Sequence, residues 1–499
     1  MVQTHASYVF LADRTVYKIK KPVDFGFLDF STLARRHRFC QREIELNRRL
    51  APDVYRDVVP IRRAGRSFAF DGNGDIVEYA VRMRRLPKGG FASERISRGR
   101  LGPREIDRLA TTLTRFYRAQ AGSLDGPMPD RQRKSIDDNL RVIRRHASTD
   151  AMRGVTSALS SYTRAFYASH AGLLARRRKE RRILDCHGDL RLEHVHIDRR
   201  AIRIYDCIEF NDRLRTIDVA NDVAFLAMDL DYEGRPDLAR RFVGAIARAT
   251  GDREMVQLVD FYKCYRAAVR HKVESLRAAE REVRAAERSA SAKRAGKFLA
   301  LALRYATVGS HSTVVVVMGE VACGKSTLAQ GIAEALGVSV VSSDVLRKKQ
   351  AGIPLRRRPG DARRKRLYDS TTSRRVYAAL VAEAQGALRE DRNVILDATF
   401  ARRADRDRIR AGARRAGADV LFIEVVTPAA TRRRRLAERG RVGASISDAR
   451  LQDFSALASR YEAPTEIEPA SLLCIRSRQT AAETLSASLR ALARARGRK

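Results

Sequence analysis

Five consecutive apolar residues, Val314-Val-Val-Val-Met318, run straight into Gly319-Glu-Val-Ala-Cys-Gly324-Lys325-Ser326-Thr327, and helix-forming residues follow from Leu328 to Leu336. A β-branched run of this length reads as a buried strand. The chain must therefore pass from strand through a glycine loop into helix. Glycines at the first and sixth loop positions, Gly319 and Gly324, let backbone N–H groups turn inward around phosphate oxygens. The helix N-terminus adds its partial positive charge at the same place. In a G-x-x-x-x-G-K-[ST] loop of this kind Lys325 meets the β- and γ-phosphates and Ser326 places a hydroxyl on magnesium, with Thr327 beside it. ATP with Mg2+ is the expected ligand.

The residues around this loop alternate between strand-length apolar runs and helical stretches. Val314–Met318, Val338–Ser342, Val394–Asp397, Val420–Val426 and Leu472–Ile475 are the runs. Such alternation predicts an α/β domain with a parallel sheet covered on both faces. Ligands bind beyond the C-terminal ends of such strands, where three further features fall. Val394-Ile-Leu-Asp397 is a hydrophobic strand ending in a carboxylate able to hold magnesium directly or through water. Ser342-Ser-Asp344-Val-Leu-Arg347 places a carboxylate and a guanidinium one turn apart on a starting helix. Phosphoryl transfer to a hydroxyl needs a base near the acceptor and cations on the transferred group. Asp344 and Arg347 are the candidates. Arg432-Arg-Arg-Arg435 through Arg439, before Gly440-Arg-Val-Gly443, is a basic helix that could close arginines, Arg439 among them, over phosphates.

Together these elements resemble the small P-loop kinases of the zeta-toxin and polynucleotide-kinase type. The resemblance covers about residues 313–495 and includes Tyr461-Glu-Ala-Pro464. It implies that Asp344 and Arg347 serve the acceptor hydroxyl. It does not name the acceptor.

The first half begins with strand-like pieces and ends in helices. Ser7–Lys21 reads as a hairpin, residues 31–50 as a helix, and Val58–Ile61, Ser67–Phe70 and Ile76–Met83 as strands. From Pro103 onward the pattern is helical, apart from residues 183–206. Arg253–Tyr305 reads as a long helical stretch broken near Gly296. Its key segment is Cys186-His187-Gly188-Asp189-Leu-Arg-Leu-Glu-His194, followed by the alternating Ile202-Arg-Ile-Tyr-Asp206. This layout resembles the catalytic loop and metal-binding strand of aminoglycoside phosphotransferases and related kinase-like folds, over about residues 5–300. The resemblance implies a two-lobed α+β domain in which Asp189 accepts the substrate hydroxyl proton and Asp206 binds magnesium. His194 stands where that loop carries asparagine; a neutral imidazole can ligate a metal but suits magnesium less well than oxygen. Lys18 resembles the strand lysine that pairs with ATP phosphates, or else Lys20, two residues on along the same face. Glu43, or else Glu45, is its expected ion-pair partner. Glu78–Met83 would be the hinge strand touching adenine.

The expected organisation is thus residues 1–306, a linker at 307–313 and a second domain at 314–499. The chain carries 99 basic against 59 acidic residues, a formal charge of +40, and 84 of the basic residues are arginine. They are spread through nearly every segment, which favours arginine-rich solvated helix faces over one dedicated footprint. Nucleic acid remains open as a partner. No apolar run approaches the roughly 20 residues that span a bilayer, and the start of the chain lacks the pattern of a secretory leader. Six scattered cysteines without metal-ligand spacing fit a reducing cytoplasm. The expected function is ATP-dependent transfer of phosphate to a hydroxyl. The alternatives are a catalytic C-terminal half beside an N-terminal binding module, and a nucleic-acid-binding ATPase or polynucleotide kinase.

Overall fold

The computed structural model describes residues 1–498 apart from 27, 71–72, 121–128, 148 and 443–445. The chain divides into two compact units. One comprises Met1–Ser135 and Ala171–Ala267, the other Ile136–His170 and Ala268–Lys499. The expected linker, 307–313, overlaps the short segment 308–312 between the helix Ala285–Thr307 and the strand Thr313–Met318. By packing, however, that helix already belongs with the P-loop unit, so the division does not fall there.

The first unit opens with a six-stranded antiparallel sheet. Its order is Val2–Gln3, Ser7–Leu11, Thr15–Lys20, Asp75–Arg84, Tyr55–Ala64, Ser67–Ala69. The helix Leu33–Asn47, begun by the Thr32 hydroxyl accepting from the Arg35 N–H, packs Cys40 and Ile44 against Tyr55, Val81 and Met83 of the sheet and against Val54 just before it. Thr-initiated capping satisfies one of the helix's unpaired donors. A helical lobe follows, with two short antiparallel pairs between its helices. Ile183–Asp185 pairs with Thr216–Asp218, and Val195–Ile197 with Ile202–Ile204. The two-lobed α+β expectation holds.

The second unit carries a five-stranded, all-parallel sheet. Its order is Ser339–Ser342, Val394–Asp397, Thr313–Met318, Asp419–Val426, Leu472–Arg476. The central strand is fully covered, with Val314, Val316 and Met318 packed among Leu380, Leu396, Phe400, Ile409 and Phe422. The expected break near Gly296 lies elsewhere. Met255–Ala279 and Ala285–Thr307 are separate helices, and Gly296 sits inside the second. The turn at 280–284 brings the second helix back on the first, so that the buried His271 Nδ1 meets the Ala295 carbonyl at 2.9 Å. No helix among the described residues is long and apolar enough to cross a membrane.

Candidate active sites

The glycine loop lies at the C-terminal end of the central parallel strand. Gly319 has φ +139°, and a Cβ there would sit 2.7 Å from the Val425 carbonyl oxygen. Only glycine lets the loop pass this close to the neighbouring strand. Lys325 begins the helix Lys325–Leu336, with Ser326 and Thr327 in its first turn. Asp397 is 4 % exposed at the end of the adjacent strand, and its Oδ1 has no hydrogen-bond partner among the described residues. Burial pushes its carboxyl up, while Lys325 and the Ser326 hydroxyl pull the other way. A buried carboxylate oxygen without a donor, beside a serine hydroxyl, is a hard-oxygen donor set that fits magnesium.

Ser326, Thr327, Ser342, Asp344, Lys349 and Asp397 line a cavity of about 740 Å³. A smaller one of about 200 Å³ lies against Cys323, Gly324, Arg435, Ser477 and Thr480. Thr327 and Arg439 border both. The basic helix Ala429–Val442 thus divides its arginines between two tasks. Arg432 pairs with Glu320 of the glycine loop at 2.8 Å, and Arg433 lies over the Phe454 ring. Arg435 donates to the Cys323 carbonyl at 3.1 Å and, with Arg439, faces the cavities. Gly443, at the end of the expected lid, lies outside the described residues.

Arg347 departs from expectation. It is buried, donates to the Leu367 carbonyl, and its guanidinium carbon lies 4.4 Å from the centre of the Tyr368 ring. It is absent from the cavity wall that Asp344 occupies. The Tyr368 hydroxyl donates to Asp344 Oδ1 at 3.4 Å, so Arg347 reaches Asp344 only through this ring. The one-turn spacing was correct, but the loop that returns at Leu367 supplies a carbonyl that captures the guanidinium. Tyr461-Glu-Ala-Pro464 is likewise tied down: the Tyr461 hydroxyl donates to Glu424 at 2.8 Å, and Arg406 binds the Glu462 carbonyl at 3.0 Å.

The first unit assembles its site from three segments. The lysine strand and the helix bring Lys18 Nζ within 2.9 Å of Glu43 Oε1, while Glu45 pairs with Arg42. Lys18 Nζ also lies 2.6 Å from Asp206 Oδ1. Asp206 has φ +62°, an unusual backbone for a non-glycine residue. The Tyr55 hydroxyl accepts from the Asp206 N–H at 3.1 Å, and Asn47 Oδ1 accepts from the Cys207 N–H at 2.8 Å, which hold that turn. Burial works against the ionised Asp206, but Lys18, then His194, outweigh it and keep the carboxyl well below the usual range.

In the loop, Gly188 has φ +84°, and a Cβ would meet the Leu214 carbonyl at 2.9 Å. Asp222, thirty-odd residues on, accepts from the His187 and Gly188 N–H groups at 3.1 and 2.9 Å. His187 is fully buried; its Nε2 donates to the Tyr205 carbonyl at 3.0 Å and its Nδ1 accepts from the Asp189 N–H at 3.3 Å. His194 Nδ1 donates to the Asp189 carbonyl at 2.9 Å. Its Nε2 lies 3.1 Å from Arg191 Nη2 and 3.5 Å from Asp206 Oδ2. Asp206 and His194 are therefore side by side. Asp206 offers a metal the hard oxygen, and His194 the softer nitrogen.

Lys18, Asp189, Asp206 and Met83 line one cavity of about 710 Å³. The hinge expectation shifts along its strand. Glu78 binds Arg36 at 2.8 Å, and the cavity is met by Met83 to Leu86 instead. Cys186 and Cys207 are buried. Sequence reasoning missed Arg191, whose Nε and Nη2 lie 3.1 and 3.0 Å from Asp189 Oδ2, and Asp222. Arg191 sits inside the quoted motif and was there to be weighed. Nothing local marks Asp222.

A family model described as "AAA domain" matches residues 314–464. An uncharacterized protein of Mycobacterium tuberculosis is 34 % identical over 466 residues, covering 92 % of this chain and 89 % of that one. The chain belongs to the same family as this mycobacterial protein. Among solved structures, a gluconokinase from Sinorhizobium meliloti 1021 is 21 % identical and covers 37 % of this chain and 92 % of its own, with a TM-score of 0.28. An ADP-bound aminoglycoside phosphotransferase is 13 % identical and covers 60 % and 93 %, with a TM-score of 0.34. The residues matched by the AAA-domain model fall within the second unit, on the glycine loop and its parallel sheet.

Proposed function

We propose that the chain is an ATP- and magnesium-dependent phosphotransferase whose C-terminal unit transfers the γ-phosphate to a hydroxyl. One observation carries this reading. The glycine-loop Ser326, the strand-end Asp397 and the helix-start Asp344 share one cavity wall, and Arg439 borders both that cavity and the one beside the loop. Triphosphate would lie along the loop, with its terminal phosphate at the border that Thr327 and Arg439 share. Ser326 and Asp397 would hold magnesium, which when bound neutralises charge on the phosphate oxygens. Asp344 would accept the proton of the acceptor hydroxyl, with Tyr368 fixing one carboxylate oxygen. Lys325 and Arg439 would steady charge on the transferred group. Asp344→Asn should lower transfer about a hundredfold or more while ATP affinity is kept. ATP binding and transfer falling together in the folded variant would place Asp344 in the nucleotide site instead.

For the first unit, a specific observation favours binding without rapid transfer. Arg191 is paired with the Asp189 carboxylate through Oδ2, which lowers its basicity toward a hydroxyl proton. Lys18 and Asp206 would still receive ATP and magnesium, so this unit reads as a nucleotide-binding module. Arg191→Gln should then raise any ATP turnover that depends on Asp189. Turnover that falls in this variant would make Arg191 part of the working site.

A further inference from the structure

Beside the Lys18–Glu43–Asp206 group lies a second couple, the buried Lys20 and Glu209, which borders the same cavity through Glu209. Lys20 follows Lys18 by two residues, on the same face of its strand. Its Nζ lies 2.7 Å from Glu43 Oε2, while Lys18 Nζ lies 2.9 Å from Glu43 Oε1. One carboxylate is therefore shared by two ammonium groups, one oxygen each. Lys20 also bonds Glu209, and its Nζ lies 4.7 Å from the centre of the Phe30 ring. The Lys20 and Glu43 side chains are 0 % exposed, whereas Lys18 retains 15 % and lines the cavity.

We propose that Lys20 and Glu209 are positioning residues of the N-terminal nucleotide site. Lys20 holds and neutralises Glu43, and Glu209 at the cavity wall holds Lys20, so that Lys18 can turn from Asp206 to a nucleotide phosphate. The inference rests on reading this unit as a nucleotide site. Its physical basis is the cost of an uncompensated buried charge. With Lys18 as sole partner, each hydrogen bond that Lys18 gave to phosphate would be withdrawn from a carboxylate with no water to replace it. With Lys20 in place, Glu43 keeps a cation whatever Lys18 does. Glu209 keeps Lys20 there: held by two carboxylates and a ring, its ammonium cannot follow Lys18 into the cavity. Glu209 lies three residues beyond Asp206, so one short segment both presents Asp206 and anchors Lys20. The two lysines thus divide the work, one fixed and one mobile.

The test uses the full chain carrying Lys325→Ala, so that the P-loop site does not mask the other. The paired variant Lys20→Met with Glu209→Gln removes both charges and leaves neither as an orphan ion. Calorimetry with ATP and magnesium, and thermal unfolding, are compared with the parent. The expected result is an unfolding temperature within a few degrees and ATP affinity about tenfold or more weaker. Lys20→Arg, which keeps the charge, should restore affinity. Glu209→Gln alone, which spares Lys20, should weaken ATP binding by a smaller factor and serves if the paired variant does not fold. Unchanged affinity in either variant overturns the inference, including the case where the unfolding temperature falls but affinity does not. A parent that shows no ATP binding sensitive to Asp206→Ala sinks the nucleotide-site reading itself, and this inference with it.

Discussion

His187 shows how one residue type reports on its surroundings. It is fully buried, spends both ring nitrogens on backbone groups, and burial holds its pKa down at about 4. The unfolded chain binds a proton near pH 6.5. Between about pH 6.5 and 4 the unfolded state therefore carries a proton that the folded state refuses, so stability rises with pH through that window. The contribution amounts to about 3 kcal/mol at most. Replacing the ring by an amide in His187→Asn should flatten the pH dependence of denaturant unfolding between pH 4 and 6.5. An unchanged slope would mean that His187 titrates normally in the folded chain. The histidine was legible in the motif; its neutrality was not, because that depends on the Tyr205 carbonyl packed against it.

At the scale of elements, the cavity beside Asp344 is framed by segments stitched together with charge. Lys348 of the helix Ser343–Gln350 lies 3.1 Å from Asp448, both 1 % exposed, and also donates to the Leu355 and Arg357 carbonyls at 2.8 and 3.0 Å. Arg450 meets Asp361 at 2.7 Å, and Arg364 binds Asp453. The basic helix is thereby anchored, through the residues after it, to the segment that follows Asp344. Burial pushes the Asp448 carboxyl up in spite of Lys348, so the pair adds little by existing. Breaking it is what costs. Asp448→Asn should lower stability by about 3 kcal/mol, and Lys348→Met with Asp448→Leu by clearly less. Equal losses in denaturant titrations would show that packing rather than charge holds this junction. These pairs could not be read in advance, since each joins residues far apart in a chain where arginine is everywhere. The same abundance hid which arginines face the cavities: Arg435 and Arg439 do, while Arg432 and Arg433 serve Glu320 and Phe454.

For the whole molecule, the two nucleotide sites proposed above predict calorimetric titration to two ATP per chain. Lys325→Ala and Asp206→Ala should each remove one site and leave the other. A single site, abolished by Lys325→Ala alone, would restrict nucleotide binding to the C-terminal unit. Packing also sets where the chain can be cut. Gly497 of the helix Ala481–Gly497 lies so close to the helix Asp150–Lys179 that a Cβ would come 2.8 Å from the Tyr162 carbonyl oxygen, and Gly154 packs on Ser486. A fragment of residues 308–499 lacks that helix and Ala285–Thr307, so it should unfold well below the full chain in thermal scans. Gly497→Val in the full chain should lower the unfolding temperature in the same direction. An intact melting temperature for the fragment would mean that these helices lend the P-loop unit nothing.

Local chemistry was enough to determine the glycine loop, the parallel α/β sheet around it, and the loop–strand pair of Asp189 and Asp206. Strand-length apolar runs, positive-φ glycines and residues a few positions apart are all short-range signals. The Lys18–Glu43 approach was within reach for the same reason, because a strand face and the following helix constrain each other. Tertiary structure alone decided the rest. It turned Arg347 away from the cavity toward a returning carbonyl, set Asp222 under the His-Gly-Asp backbone and placed Arg191 on Asp189. It also gave Glu43 a second lysine, and assigned the residue 136–170 helices to the P-loop unit. For Arg347, Asp222 and Glu43 a buried polar group had to find a partner, and which partner came within reach was settled by packing between distant segments.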